Sequence, residues 1–161
     1  MVSRHLLAEE SGFTLLELIV NIGIIAILTA IAIPAYIDFR DKARIAQAKS
    51  DLYNIRIAME QLANDTEKWP GPQAVGITAN QEVWDLSKKS AGLVATDGNF
   101  PNWRGPYMNS VPTDPWGSNY YFDPDYYIGG KMYAAIGSFG PNKCCKNAYD
   151  SDDVVLTLPT Q

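Results

Sequence analysis

Histidine and cysteine are nearly absent from this chain. His5 is its one imidazole, and Cys144 and Cys145 are its two thiols. Two adjacent cysteines cannot build a disulfide framework. No glycine-rich loop of the kind that cradles phosphate occurs. Basic side chains form no stripe, and the net charge is −5, which argues against nucleic acid as a partner. Asp123 with Asp125, or Asp152 with Asp153, could act as paired carboxylates. Nothing else in the chain supports that chemistry, and the protein is expected not to be an enzyme.

What is present is unevenly spread. Hydrophobic residues make up 47% of the 161 positions, and a large share lies between Phe13 and Ile33, a run whose single charge is Glu17. As a helix this run rises about 30 Å, the thickness of a bilayer's hydrocarbon core. A core helix of that length would show a polar face, and this one shows none. A secretory signal would be shorter and would end at a small-residue cleavage site, whereas here Pro34 and Tyr36 lead into a further helical pattern. A charge inside an apolar span costs about 2.5–3.5 kcal/mol, so Glu17 is a functional candidate. Asn21 and Gly23 offer small and polar surface suited to neighbouring helices. Pro34 marks either a helix end or a kink within one longer helix.

The segment Ser11-Gly12-Phe13-Thr14-Leu15-Leu16-Glu17 resembles the motif cut by prepilin peptidases of the type IV pilin-like superfamily. The resemblance implies cleavage between Gly12 and Phe13, methylation of the new N-terminus at Phe13, and loss of His5 with the leader, so that no Ser-His or Cys-His pair survives. It also implies that Glu17 meets the N-terminal amine of a neighbouring subunit during assembly, and that Pro34 kinks one long curved helix. The leader departs from the usual basic pattern, because Arg4 is accompanied by Glu9 and Glu10.

Beyond the span, Phe39, Ala43, Ala46, Leu52, Ile55, Met59 and Leu62 recur at helical spacing among charged residues. A single helix is predicted from about Thr14 to about Ala63, stopped by Trp69-Pro70-Gly71-Pro72. Residues 73–104 read as a connecting loop with one or two helical turns between Gln81 and Ser87, anchored by Trp84 and Trp103. Strands are predicted at Asn119–Phe122, Lys131–Ile136 and Asp153–Leu158, with Gly129-Gly130 turning the first hairpin. The expected fold class is α+β: a long N-terminal helix, half of it transmembrane, packed on a small three-stranded antiparallel sheet. The expected segments are a cleavable leader (1–12), a transmembrane and polymerisation helix (13–36) and a periplasmic globular domain (37–161).

Gly105-Pro106-Tyr107-Met108, then Val111-Pro112-Thr113-Asp114-Pro115-Trp116-Gly117, resemble the major pseudopilins of type II secretion systems. Here the prolines and Gly117 fix a rigid turn, and Tyr107 and Trp116 can plug the open side of a small core. Gly137-Ser138-Phe139-Gly140-Pro141-Asn142 and Asp150-Ser151-Asp152-Asp153-Val154 resemble the calcium loop of the same family. The resemblance implies calcium held by the Phe139 backbone carbonyl, Asn142, Asp150, Asp152 and Asp153. Calcium takes six to eight hard oxygens, and Asn142 stands where the family has an aspartate. From the residues alone, the stretch is equally a solvated acidic turn. Cys144 and Cys145 are a departure from the family. Neighbouring Cα atoms lie about 3.8 Å apart, below the usual disulfide range of about 4.4–6.8 Å, so free thiols, a vicinal or intermolecular disulfide, and a metal site all stay open.

The resemblance implies a structural subunit of a type II secretion pseudopilus, polymerising through its N-terminal helix to promote protein export across the outer membrane. The alternative is a type IV pilin of a surface filament for adhesion, motility or DNA uptake. The implied partners are copies of itself, minor pseudopilins, the inner-membrane assembly platform and prepilin peptidase. The implied location is the inner membrane, crossed once, with the globular domain in the periplasm; for the alternative it is a cell-surface pilus.

Overall fold

The structure, a computed structural model, describes residues 12–76, 81–148 and 150–158. Residues 1–11 of the expected leader lie outside the described residues. The chain divides into two compact units, Met1–Asp41 and Lys42–Gln161.

One helix, α1 (Leu15–Thr66), begins in the first unit and ends in the second. Pro34 lies inside it, which settles the choice between a helix end and a continuous helix in favour of the latter. Proline lacks an N–H, so the Ala30 carbonyl has no helical donor four residues on. In the first unit the large apolar side chains from Phe13 to Ile33 are all exposed, and the helix is long and apolar enough there to cross a membrane. The Thr29 hydroxyl within this apolar run needs no water: it donates to the Ile25 carbonyl at 2.7 Å.

In the second unit α1 buries one stripe, Ala48, Leu52, Ile55, Met59, Leu62 and Thr66, alternating steps of four and three residues. The predicted stripe began earlier, and this is corrected: Phe39, Ala43 and Ala46 are exposed. These residues match the helical period but precede Ala48, the first buried position of the stripe, so periodicity alone misplaced the start of the core.

After α1 comes a two-stranded hairpin, β1 (Lys68–Trp69) and β2 (Gln73–Ala74), turning at Pro70-Gly71-Pro72. The helical turns expected between Gln81 and Ser87 are absent. That stretch is extended, and Val83 forms an antiparallel bridge with Phe122; a 3-10 turn occurs instead at Lys89–Ala91. The main sheet is antiparallel with strand order β3 (Tyr121–Ile128), β4 (Lys131–Ser138), β5 (Val154–Thr157). The first strand runs past its predicted end at Phe122. A register shift between Asp123 and Tyr126 absorbs Pro124, so the strand resumes beyond a sequence that reads as a turn.

The sheet's two faces do different work. Tyr120, Phe122, Ile136 and Val154 join the α1 stripe, Trp69, Leu86, Leu93, Phe100 and Trp116 in the main core. Each large side chain fully buried there contributes about 1.5–3 kcal/mol. The opposite face carries Tyr121, Tyr126 and Ala135, covered by Trp84 and Phe139. Gly137 sits across from Tyr121, and a Cβ there would lie 2.5 Å from the tyrosine ring, so only glycine admits the aromatic.

Candidate functional site

The candidate sites fall into three regions: the start of α1, the turn built on Asp114, and the outer face of the sheet with its C-terminal loop.

At the start of α1, Thr14 and Glu17 form a reciprocal cap. The Thr14 N–H and hydroxyl donate to Glu17 Oε2 at 2.9 and 2.7 Å, and the Glu17 N–H donates to Thr14 Oγ1 at 3.2 Å. Ser/Thr-x-x-Glu is the pattern that satisfies the unpaired amides of a helix's first turn. Sequence reasoning singled out Glu17 and overlooked Thr14, although the three-residue spacing was legible. Gly12 and Phe13, on either side of the expected cut, are both exposed.

The Asp114 turn organises the domain. Asp114 is 3% exposed. Its Oδ1 accepts the amides of Trp116 at 3.0 Å and Ser118 at 2.7 Å, and its Oδ2 accepts the Ser138 hydroxyl. Ser138 Oγ in turn accepts the Gly140 N–H at 3.0 Å. The Asp-Pro-Trp-Gly turn is thereby tied to the end of β4, where the C-terminal loop departs. Trp116 is buried in the core, and Tyr107 packs against it from the surface, as expected. Two tyrosine hydroxyls also reach α1: Tyr120 donates to Asp51 at 2.9 Å and Tyr107 to Asp65 at 3.1 Å. Burial pushes both phenols above their usual range, and the neighbouring aspartate adds to the effect.

On the outer face, Trp84, Tyr121, Asp123, Tyr126, Phe139, Cys145, Asn147 and Asp153 line a narrow crevice. Trp84 stacks on Phe139 with centroids 5.9 Å apart, and Tyr121 lies 4.7 Å from Phe139. Lys146 Nζ stands 5.2 Å above the Trp84 ring. Cys144 and Cys145 are exposed, with their sulfur atoms side by side. Trp84 and Trp103 are anchored by packing, and Trp103 also donates to the Gly92 carbonyl at 2.7 Å.

The C-terminal loop brings its two halves together. Asn142 Nδ2 donates to Asp150 Oδ2 at 2.8 Å, and the Asp152 N–H donates to Asp150 Oδ1 at 2.9 Å. Gly140 lies so close to the Asp152 carbonyl that a Cβ would collide with it, at 1.9 Å. Asp153 turns the other way: its Oδ2 accepts the hydroxyls of Tyr126 at 3.0 Å and Tyr121 at 3.3 Å. Burial raises the Asp153 carboxyl above its ordinary value. The expected ligands are thus on one loop and offer hard oxygens, but Asp153 is shared with the sheet, and Asn142 closes the loop by hydrogen bonding to Asp150.

A second acidic group was not foreseen as such. Carboxylate oxygens of Glu82, Asp123 and Asp125 lie within 4.8 Å of one another. Asp123 is 1% exposed, and burial pushes its carboxyl up to about 7. Asp123 and Asp125 were considered only as a catalytic pair; Glu82 was invisible because its proximity depends on the distant Val83–Phe122 bridge.

The family profile described as type II secretion system (T2SS), protein G, matches residues 35–155. The type II secretion system core protein G of Pseudomonas aeruginosa is 32% identical over 134 residues, covering 83% of this chain and 79% of that one. The protein of the same description from Escherichia coli is 31% identical over 112 residues, covering 70% of each. A fimbrial protein, EcpC, of Eikenella corrodens is 32% identical over 110 residues, covering 68% of this chain and 58% of that one. Among solved structures, the major pseudopilin from the type 2 secretion system of enterohaemorrhagic Escherichia coli shares the fold. Its TM-score is 0.52 at 21% identity, over 73% of this chain and 86% of that one.

Proposed function

Because the chain belongs to the family of type II secretion system protein G, we propose that it is a structural subunit of a pseudopilus, polymerising through its N-terminal helix to promote protein export across the outer membrane. The observation that carries this reading is the first half of α1. From Phe13 to Ile33 its apolar side chains find no partner within the described chain, while the second unit has a complete core of its own. A helix of that kind is held by lipid before assembly and by copies of itself afterwards.

In this reading prepilin peptidase cuts between Gly12 and Phe13, Phe13 is methylated, and the freed amine of one subunit meets Glu17 of the next. Minor pseudopilins and the inner-membrane platform are the further partners. The globular domain sits in the periplasm. Replacing Glu17 with Leu should leave the subunit inserted in the membrane and unable to polymerise. Cross-linking of membranes for multimers and assay of exported protein in the medium test this. A variant that still forms multimers and exports normally would overturn it.

A surface pilus is the second reading, favoured by the likeness to a fimbrial protein. Sheared filaments outside the cell, with export intact in a deletion strain, would select it.

Calcium belongs to the proposal as a structural ion of the C-terminal loop, where Asp150, Asp152, Asp153, Asn142 and the Phe139 carbonyl would hold it. The close approach of Gly140 to the Asp152 carbonyl, which brings the two halves of the loop together, supports this reading. Bound calcium would supply charge neutralisation for the aspartates. The midpoint of thermal unfolding should rise with calcium, and rise less in the double variant Asp150→Asn, Asp152→Asn. Equal shifts in both proteins would remove the loop from the account.

A further inference from the structure

The outer sheet face holds a set of donors that the C-terminal loop does not include. Val83 and Phe122 exchange two backbone hydrogen bonds, each 2.8 Å. An antiparallel bridge there sets Glu82 opposite Asp123. Asp125 is returned to the same place by the irregularity at Pro124, where its N–H donates to Asp123 Oδ1 at 2.9 Å. Three acidic oxygens thus converge within 4.8 Å, contributed by two segments roughly forty residues apart.

Convergence alone would be no more than an acidic cluster. The second observation is that the cluster is unfinished. Asp123 is buried, and its Oδ2 has no hydrogen-bond partner; Asp125 Oδ1 is likewise buried and unpartnered. Among the described residues, no lysine or arginine forms an ion pair with any of the three. A buried carboxylate oxygen with neither donor nor counter-charge is costly, and native structures rarely leave one so.

We propose that Glu82, Asp123 and Asp125 form a second divalent-cation site, of the calcium class, separate from the C-terminal loop. All three donors are hard oxygens, which excludes a soft-metal preference. Oxygens held 2.3–2.6 Å from one calcium can be as much as about 5 Å apart, so the observed spacing suits a shared ion. The cation would fasten the extended stretch around Glu82 to β3, and with it Trp84, the cover of the outer face. The inference goes beyond the proposed filament role and does not depend on it.

The test uses the full chain in detergent micelles, with the C-terminal loop silenced by Asp150→Asn and Asp152→Asn. Calcium binding is followed by calorimetry. Terbium is the luminescent probe, since Trp84 and Tyr126 lie near enough to sensitise it. One saturable calcium should remain in the loop-silenced chain. Adding Glu82→Gln or Asp125→Asn should weaken it by about tenfold or more, and Asp123→Asn should abolish it. Near-UV circular dichroism checks that each variant is folded. Should Asp123→Asn fail to fold, the less buried Glu82 and Asp125 carry the test. No saturable calcium and no terbium luminescence in the loop-silenced chain up to millimolar cation would overturn the proposal. So would binding that ignores both Glu82→Gln and Asp125→Asn. Failure of the loop site reads differently: wild type and loop-silenced chain would then bind the same number of ions.

Discussion

At the scale of single residues, Asp114 is the most consequential side chain in the domain. The Asp-Pro-Trp-Gly motif was readable as a turn, because proline and glycine fix its backbone. The third tie, to Ser138, was not readable, since it depends on a strand end twenty-four positions away in sequence. Asp114→Ala would leave two amides and a hydroxyl unsatisfied in a buried place, and should destabilise the domain by about 3 kcal/mol or more. A denaturant midpoint compared with wild type checks this. Gly137→Val should cost about 1–3 kcal/mol, because the new side chain must displace the Tyr121 ring from its place over the strand. The same melt, combined with tyrosine near-UV dichroism, would show both the loss and its location. Glu82 lies at the opposite extreme of legibility. It stands in a stretch of weak periodicity, and only a non-local bridge gives it acidic neighbours.

At the scale of elements, the helix and the sheet are held by more than apolar packing. Tyr120–Asp51 and Tyr107–Asp65 link the sheet and the preceding loop to α1 across 69 and 42 positions of sequence. Both phenols are raised above their usual value, so the folded chain keeps protons that the unfolded chain releases. Their contribution is therefore full below about pH 10 and is lost as pH rises beyond it. Unfolding between pH 10 and 12 (approximate range set by the ordinary tyrosine value) should release tyrosine protons together, as a steep rise in phenolate absorbance. Tyr120→Phe should flatten that dependence. The helix itself was legible throughout, from an apolar run followed by a 3.6-residue period. The three strands of the main sheet were legible but not their lengths, because Asp123-Pro124-Asp125 has the composition of a turn, and the short β1–β2 hairpin read only as the stop of the helix. The register shift that carries β3 through it is a property of the pairing with β4, not of local preference.

At the scale of the whole molecule, the chain combines a unit that buries almost nothing with a unit that has its own core. An alkaline phosphatase fusion at the C-terminus should be active in cells, since that enzyme matures only after export. Inactivity with normal expression would reverse the orientation argued above. Removing residues 1–33 should yield a domain that sediments as a monomer, because what it loses is the surface that pairs copies. The sharp change of composition after Ile33 was legible; the fit between the two halves of the C-terminal loop was not, because it depends on tertiary closure. The cap at the start of α1 carries a further meaning. The Glu17 carboxylate is not bare in the single chain; Thr14 already occupies it. If a neighbour's amine takes over that carboxylate on docking, a charged partner replaces a neutral one, and the exchange favours the docked state. A growing tip built on such exchanges would be fastened by each arriving amine, and a subunit whose leader still covered that amine would find the carboxylate already capped and nothing to offer in Thr14's place.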